Sequence, residues 1–149
     1  PLRILAGARA AAGPDGGPLV VEGVGGLLVP LTPGYLVADL AGALGLPVVI
    51  AARPGLGTIN HSLLTLAAAR ARGLDVRAVV LTPWPRCPGA IERSNRDTIG
   101  RLGQVDVHVL PAVAEPRREL LAAAAAELPL RSWVEAQAPL RASSDRARR

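Results

Sequence analysis

The chain has 149 residues, half of them hydrophobic but only three aromatic, so a single domain with a core of Ala, Leu and Val is expected. So few aromatics argue against a base-stacking platform, and no apolar run reaches the roughly 18 residues of a membrane-spanning helix. The net charge of +5 rests on Arg alone, since Lys is absent, and residues 131–149 hold five Arg against Glu135 and Asp145. That segment carries +3 and the rest only +2, so neither a nucleic-acid partner nor a membrane is expected.

Residues 1–12 read as the end of a helix or loop, and Gly13-Pro14-Asp15-Gly16-Gly17 as a turn cluster. Residues 18–22 form the first of four apolar, β-branched runs; the others are 47–52, 77–81 and 106–110. Each is continuous rather than alternating, as strands buried on both faces are. Helical spacing lies between them. Over residues 35–44, Leu36, Leu40, Ala43 and Leu44 share a face. Over 60–72, Leu63, Leu64, Ala67 and Ala71 form a stripe, with Arg70 and Arg72 at the negative end of the helix dipole. Residues 91–102 read as a more polar helix, and 116–127 as an Ala-rich one with Pro116 in its first turn. A flexible Arg-rich tail over 131–149 is expected behind a domain of residues 1–130. The alternation predicts an α/β fold, a mostly parallel sheet with flanking helices and right-handed crossovers.

Such sheets bind ligands at the carboxyl ends of their strands. Glu22 ends the first run and is followed by three glycines in four positions, Gly23, Gly25 and Gly26 around Val24. A carboxylate there could face a magnesium ion or a phosphate-bearing ligand, with glycine N–H groups close to anionic oxygens; a tight loop with a solvated glutamate fits equally. Gly55-Leu56-Gly57-Thr58-Ile59-Asn60 leads into the second long helix, with Thr58 as N-cap and free N–H groups behind it, an anion site or ordinary capping. His61 is read as packing or facing solvent, and His108 as a core or edge residue of a strand. Cys87, the single cysteine, excludes an internal disulfide or a multi-cysteine zinc site and fits a reducing, cytoplasmic compartment.

The segment from Val20 to Leu31, with Glu22-Gly23-Val24-Gly25-Gly26 at its heart, resembles a conserved block of the dethiobiotin synthetases. The resemblance continues through Ala38-Asp39-Leu40 and Leu46-Pro47-Val48-Val49-Ile50. Its most specific part is Gly55-Leu56-Gly57-Thr58-Ile59-Asn60-His61-Ser62-Leu63-Leu64-Thr65, and it spans about residues 17–118. The family implies a P-loop NTPase-like fold and an ATP- and Mg2+-dependent carboxylation and ring closure of 7,8-diaminononanoate with carbon dioxide, giving dethiobiotin in biotin biosynthesis. By that resemblance Glu22 is the metal ligand and, with Gly23, Val24 and Gly25, lies on the nucleotide side. Thr82, Pro83, Pro111, Ala112 and Val113 border the base. Gly57, Thr58, Ile59 and Asn60 receive the substrate's distal carboxylate across a homodimer interface, and Asn95 is a further substrate contact.

The family's phosphate-binding strand, loop and helix need about 30 residues or more, and only 17 precede the first apolar run. With no Lys, the catalytic lysines of the family are not in this chain, so no catalytic residue is assigned within it. The aspartate that helps hold magnesium has no counterpart either. The chain is therefore expected to be the C-terminal portion of a dethiobiotin synthetase, incomplete at its N-terminus and inactive by itself. Thr82-Pro83 stands where the family carries a purine-reading Asn-Asp, which puts adenine selectivity in question, since Pro83 has no N–H. A non-catalytic dimerising module and a P-loop amidoligase of the cobyrinate diamide synthetase type are the other readings.

Overall fold

The computed structural model describes residues 2–11, 19–23 and 25–135. In chain order the elements are α1 (Leu2–Ala11), β1 (Pro30–Thr32), β2 (Tyr35–Leu36), α2 (Val37–Leu44), β3 (Val48–Ala52), α3 (Thr58–Ala71) and β4 (Val76–Trp84), then α4 (Ala90–Gly103), β5 (Asp106–Pro111), α5 (Arg118–Ala124) and α6 (Leu130–Glu135).

Three of the four expected strands form a parallel sheet in the order β3-β4-β5, so the fold is α/β with flanking helices, as the alternation predicts. β4 is central, and Ala78, Val79, Val80 and Leu81 are buried along it. Leu66 of α3 and Ile99 of α4 close over Ile50, Val79 and Leu81 to make the core. Gly103, at the end of α4, leaves room for this packing: a Cβ there would lie 2.8 Å from Leu66 Cδ1. The far ends of α3 and α4 are tied by Arg70, which donates to the Gln104 carbonyl at 3.0 Å.

The first expected strand does not form. Residues 19–23 carry no strand assignment, and Val20 is 88% exposed. A run of β-branched residues becomes a strand only with a ladder partner, and none of the described residues supplies one. The turn cluster at 13–17 and Val24 lie outside the described residues.

Pro33-Gly34 instead turns a short antiparallel hairpin, β1 with β2, that takes Tyr35 and Leu36 out of the expected helix. α2 therefore starts at Val37, with the Leu36 N–H donating to Asp39 Oδ2 at 2.7 Å. Similarly, the Gly89 N–H donates to Glu92 Oε2 at 2.7 Å where α4 begins. α5 is shorter than expected. Its N-cap is Arg117, so Pro116 lies outside the helix rather than in its first turn. Residue 131, where the tail was expected to begin, falls inside α6, whose Trp133 ring meets His108 of β5 edge-on at 5.4 Å. Residues 136–149 lie outside the described residues.

Candidate functional site at the strand ends

Parallel strands end on one side of the sheet, so the loops after β3, β4 and β5 share that rim. Within β4 the ladder to β5 is broken between Leu81 and Trp84, around Pro83, and resumes at the Trp84–Pro111 pair. The cause is chemical: Pro83 has no N–H to contribute. The Ala112 N–H donates to the Trp84 carbonyl at 3.2 Å and holds the two strand ends together beyond the break.

Next to this break lies a cavity of about 370 Å3, within the roughly 300–1,000 Å3 of small-molecule sites. Thr82, Pro83, Pro111, Ala112 and Val113 all line it, so the five residues marked from the sequence as bordering a base are brought together. Leu110 and, from α5, Leu121 and Ala124 complete the wall. Leu121 and Ala124 were missed by the sequence reading, although their spacing of three residues marks one helix face. The lining is largely apolar. Its single hydrogen-bonding side chain is the Thr82 hydroxyl, neither Pro83 nor Pro111 has an N–H, and that of Ala112 is engaged by Trp84.

The second group of marked residues sits between β3 and α3. Gly57 is the N-cap of α3 with φ +88°, and Thr58 is the first helical residue, not the cap expected from the sequence. The Thr58 N–H donates to the Gly55 carbonyl at 3.3 Å, and the His61 N–H returns to the Gly57 carbonyl at 3.1 Å. The N–H groups of Ile59 and Asn60, in the first turn, have no intrahelical acceptor. Asn60 and His61 are exposed, Ile59 is half-buried, and Leu56 at the loop tip is 100% exposed. Thr58 and Ser62 are buried one turn apart, on the stripe that continues to Leu66 and Ala69. Their hydroxyls have no hydrogen-bond partner among the described residues.

Asn95 of α4 reaches this loop from the side. Only 8% exposed, it donates from Nδ2 to the carbonyls of Pro54 at 2.9 Å and Gly55 at 3.2 Å.

Glu22 and Gly23 are exposed, and Glu22 makes no hydrogen bond or ion pair among the described residues. Gly23 lies against α2: a Cβ there would come within 2.5 Å of Val37 Cγ1. Gly25, with φ +88°, turns the chain in a conformation suited to glycine. No group of three or more His, Cys, Asp or Glu among the described residues could hold a metal by itself. One free carboxylate does suit Mg2+, which takes one or two carboxylates and completes its shell with phosphate oxygens and water. Cys87 is exposed in the loop after β4. No helix among the described residues is long and apolar enough to cross a membrane.

A parallel α/β sheet with its candidate pocket at the strand ends is the architecture of open α/β ligand-binding domains, P-loop NTPase-like ones among them. A family model described as "AAA domain" matches residues 5–123, and the chain belongs to that family. The chain is also similar to curated dethiobiotin synthetases. It is 44% identical over 124 residues to the "ATP-dependent dethiobiotin synthetase BioD" of Mycobacterium avium, covering 80% of this chain and 53% of that protein. It is 46% identical over 115 residues to the protein of the same name from Novosphingobium aromaticivorans, covering 76% and 53%. Over 90 residues it is 51% identical to the "Biotin biosynthesis bifunctional protein BioCD" of Bordetella avium, covering 60% and 18%. The chain thus spans about half the length of the first of these relatives.

Proposed function

We propose that the protein containing this chain is a dethiobiotin synthetase, closing the cyclic urea of dethiobiotin on 7,8-diaminononanoate with carbon dioxide and ATP, in biotin biosynthesis. The observation that carries this reading is the gathering of Thr82, Pro83, Pro111, Ala112 and Val113 around one cavity at the sheet's carboxyl rim. The names of the relatives agree with it. The apolar slot takes the nucleotide base by shape. Glu22 would hold Mg2+, with Gly23 and Gly25 beside the phosphates; Val24, grouped with them by the resemblance, lies outside the described residues. Bound at Glu22, Mg2+ supplies neutralisation of the triphosphate's charge.

At the other site the N–H groups of Gly57 and Ile59 and the side chain of Asn60 receive the distal carboxylate, with the Thr58 N–H shared between it and the Gly55 carbonyl. An anion is favoured there by the helix dipole and by the donors left free in the first turn of α3. Asn95, the further substrate-side residue, holds the loop beside this site through the Pro54 and Gly55 carbonyls. One amine attacks carbon dioxide to form a carbamate. A carbamate oxygen then takes the γ-phosphoryl group with release of ADP, and the second amine attacks the carbonyl as phosphate leaves. The contribution of this chain is positioning: it fixes the tail of the diamine at α3 and the base at β4–β5, so that the reacting ends meet. Any lysine used in phosphoryl transfer comes from outside these 149 residues, which contain none. The fully exposed Leu56 beside the carboxylate site supports a homodimer in which that loop meets a second copy, and the single exposed Cys87 fits a cytoplasmic setting.

The test is ring closure by the full-length protein from its native source, supplied with ATP, Mg2+, bicarbonate and the diamine. Dethiobiotin formation with one ADP per turnover is expected. Diamine-independent ATP hydrolysis alone, or no turnover, refutes the assignment. The 149-residue polypeptide assayed by itself is expected to show no ATP-dependent turnover.

A further inference from the structure

We propose that Asn95 is a positioning residue for the carboxylate site: by holding the Pro54 and Gly55 carbonyls it aims the N–H groups of Gly55 and Leu56. The loop after β3 has little else to define it. Leu56 at its tip makes no packing contact that hides it from solvent, and the internal Thr58–Gly55 hydrogen bond is long at 3.3 Å. Against this stand two hydrogen bonds from one buried amide on α4, made across about 40 residues of sequence.

The two hydrogens of Nδ2 match two carbonyls, Pro54 and Gly55, so an amide donor is what the position requires. In a trans planar peptide the N–H points opposite to the C=O. Drawing the Pro54 and Gly55 carbonyls toward α4 therefore turns the N–H groups of Gly55 and Leu56 away from it. The loop then offers donors of its own beside those of α3. This inference rests on the carboxylate-binding reading proposed above.

The test uses the full-length protein with Asn95→Asp and Asn95→Gln. Binding of 7,8-diaminononanoate and of its carboxamide is measured by calorimetry, and hydrogen exchange at residues 55–60 is followed without ligand. Wild type is expected to favour the acid over the amide by about tenfold or more, the scale of hydrogen bonds to a charged group. Asn95→Asp sets a carboxylate against two carbonyls. It is expected to reduce that preference to within about threefold and to speed exchange of the loop amides, with nucleotide affinity unchanged. Asn95→Gln keeps the donor and is expected to fall between the two.

Retained preference for the acid together with unchanged exchange overturns the proposal. Equal loss of acid and amide binding with unchanged exchange also overturns it, and makes Asn95 a direct contact only. Should wild type bind neither ligand, the substrate assignment fails. The exchange of the ligand-free loop then decides the role of Asn95 by itself: faster in Asn95→Asp supports it, unchanged refutes it.

Discussion

Gly57 offers the sharpest link between backbone conformation and ligand binding. Its φ of +88° and ψ of −14° lie in the left-handed region, at the residue that caps α3. A Cβ added there would meet only the His61 ring, at 3.5 Å and 3.6 Å, which is ordinary contact. Gly57→Ala therefore isolates the backbone cost, about 1–2 kcal/mol for an L-residue in this conformation. For a domain of this size each kcal/mol lowers the melting temperature by about 2–4 °C. The chain can keep its geometry and lose that stability, or relax toward negative φ and re-aim the N–H groups of Thr58 and Ile59. In the second case the same energy appears as roughly a 5- to 30-fold loss of carboxylate affinity. Thermal denaturation and a binding titration on one preparation capture both routes. Gly57→Asn should lose less, since Asn tolerates the left-handed region, and Gly55→Ala, with nothing within 4 Å of the added Cβ, should be close to neutral. A Gly57→Ala protein that melts within about 1 °C of wild type and binds the diamine as tightly would refute the reasoning.

Leu66, 1% exposed at the centre of the core, should cost about 2–5 kcal/mol as Leu66→Ala, measured by denaturant titration. Ala124→Phe places a ring in the cavity of about 370 Å3 and should weaken nucleotide binding by about tenfold or more while leaving diamine binding unchanged in calorimetry. Because the cavity has one hydroxyl and no side-chain amide or carboxylate, ATP and GTP should differ by less than about tenfold in competition titrations. Glu22→Gln removes an exposed, unpaired carboxylate, so the melting temperature should hold while the Mg2+ concentration needed for half-maximal turnover rises several-fold.

Where apolar residues decided their own partners, the sequence could be read closely. The run at 47–52 became β3 over Val48–Ala52 and the segment 60–72 became α3 over Thr58–Ala71, but the stripe expected on that helix is not its buried face: Leu64, Ala67 and Ala71 are exposed, and Thr58, Ser62, Leu66 and Ala69 turn inward instead. The run at 18–22 has equal β-propensity, yet its described residues 19–22 form no strand, since propensity cannot provide the neighbour that pairs with it. Tyr35 and Leu36 went to a hairpin because Pro33-Gly34 turns the chain just before them, a cue that lay in plain view. That Thr82, Pro83, Pro111, Ala112 and Val113 would share one cavity was legible because they lie at or just past the ends of β4 and β5, which share a rim. Leu121 and Ala124 were not, because their place on that cavity depends on how α5 folds back. Thr58 as cap was a reasonable inference from residue type, but the left-handed turn needed glycine and took Gly57 instead.

The position of Trp84 gives the protein a built-in optical probe. Its backbone carbonyl holds Ala112 at the cavity rim while its side chain packs against the buried core, so one residue links the two. With Trp133 replaced by Phe, the emission of a single tryptophan would follow the filling of the cavity without any attached dye. Changes in its wavelength would also separate closure of the rim from loosening of the sheet beneath it.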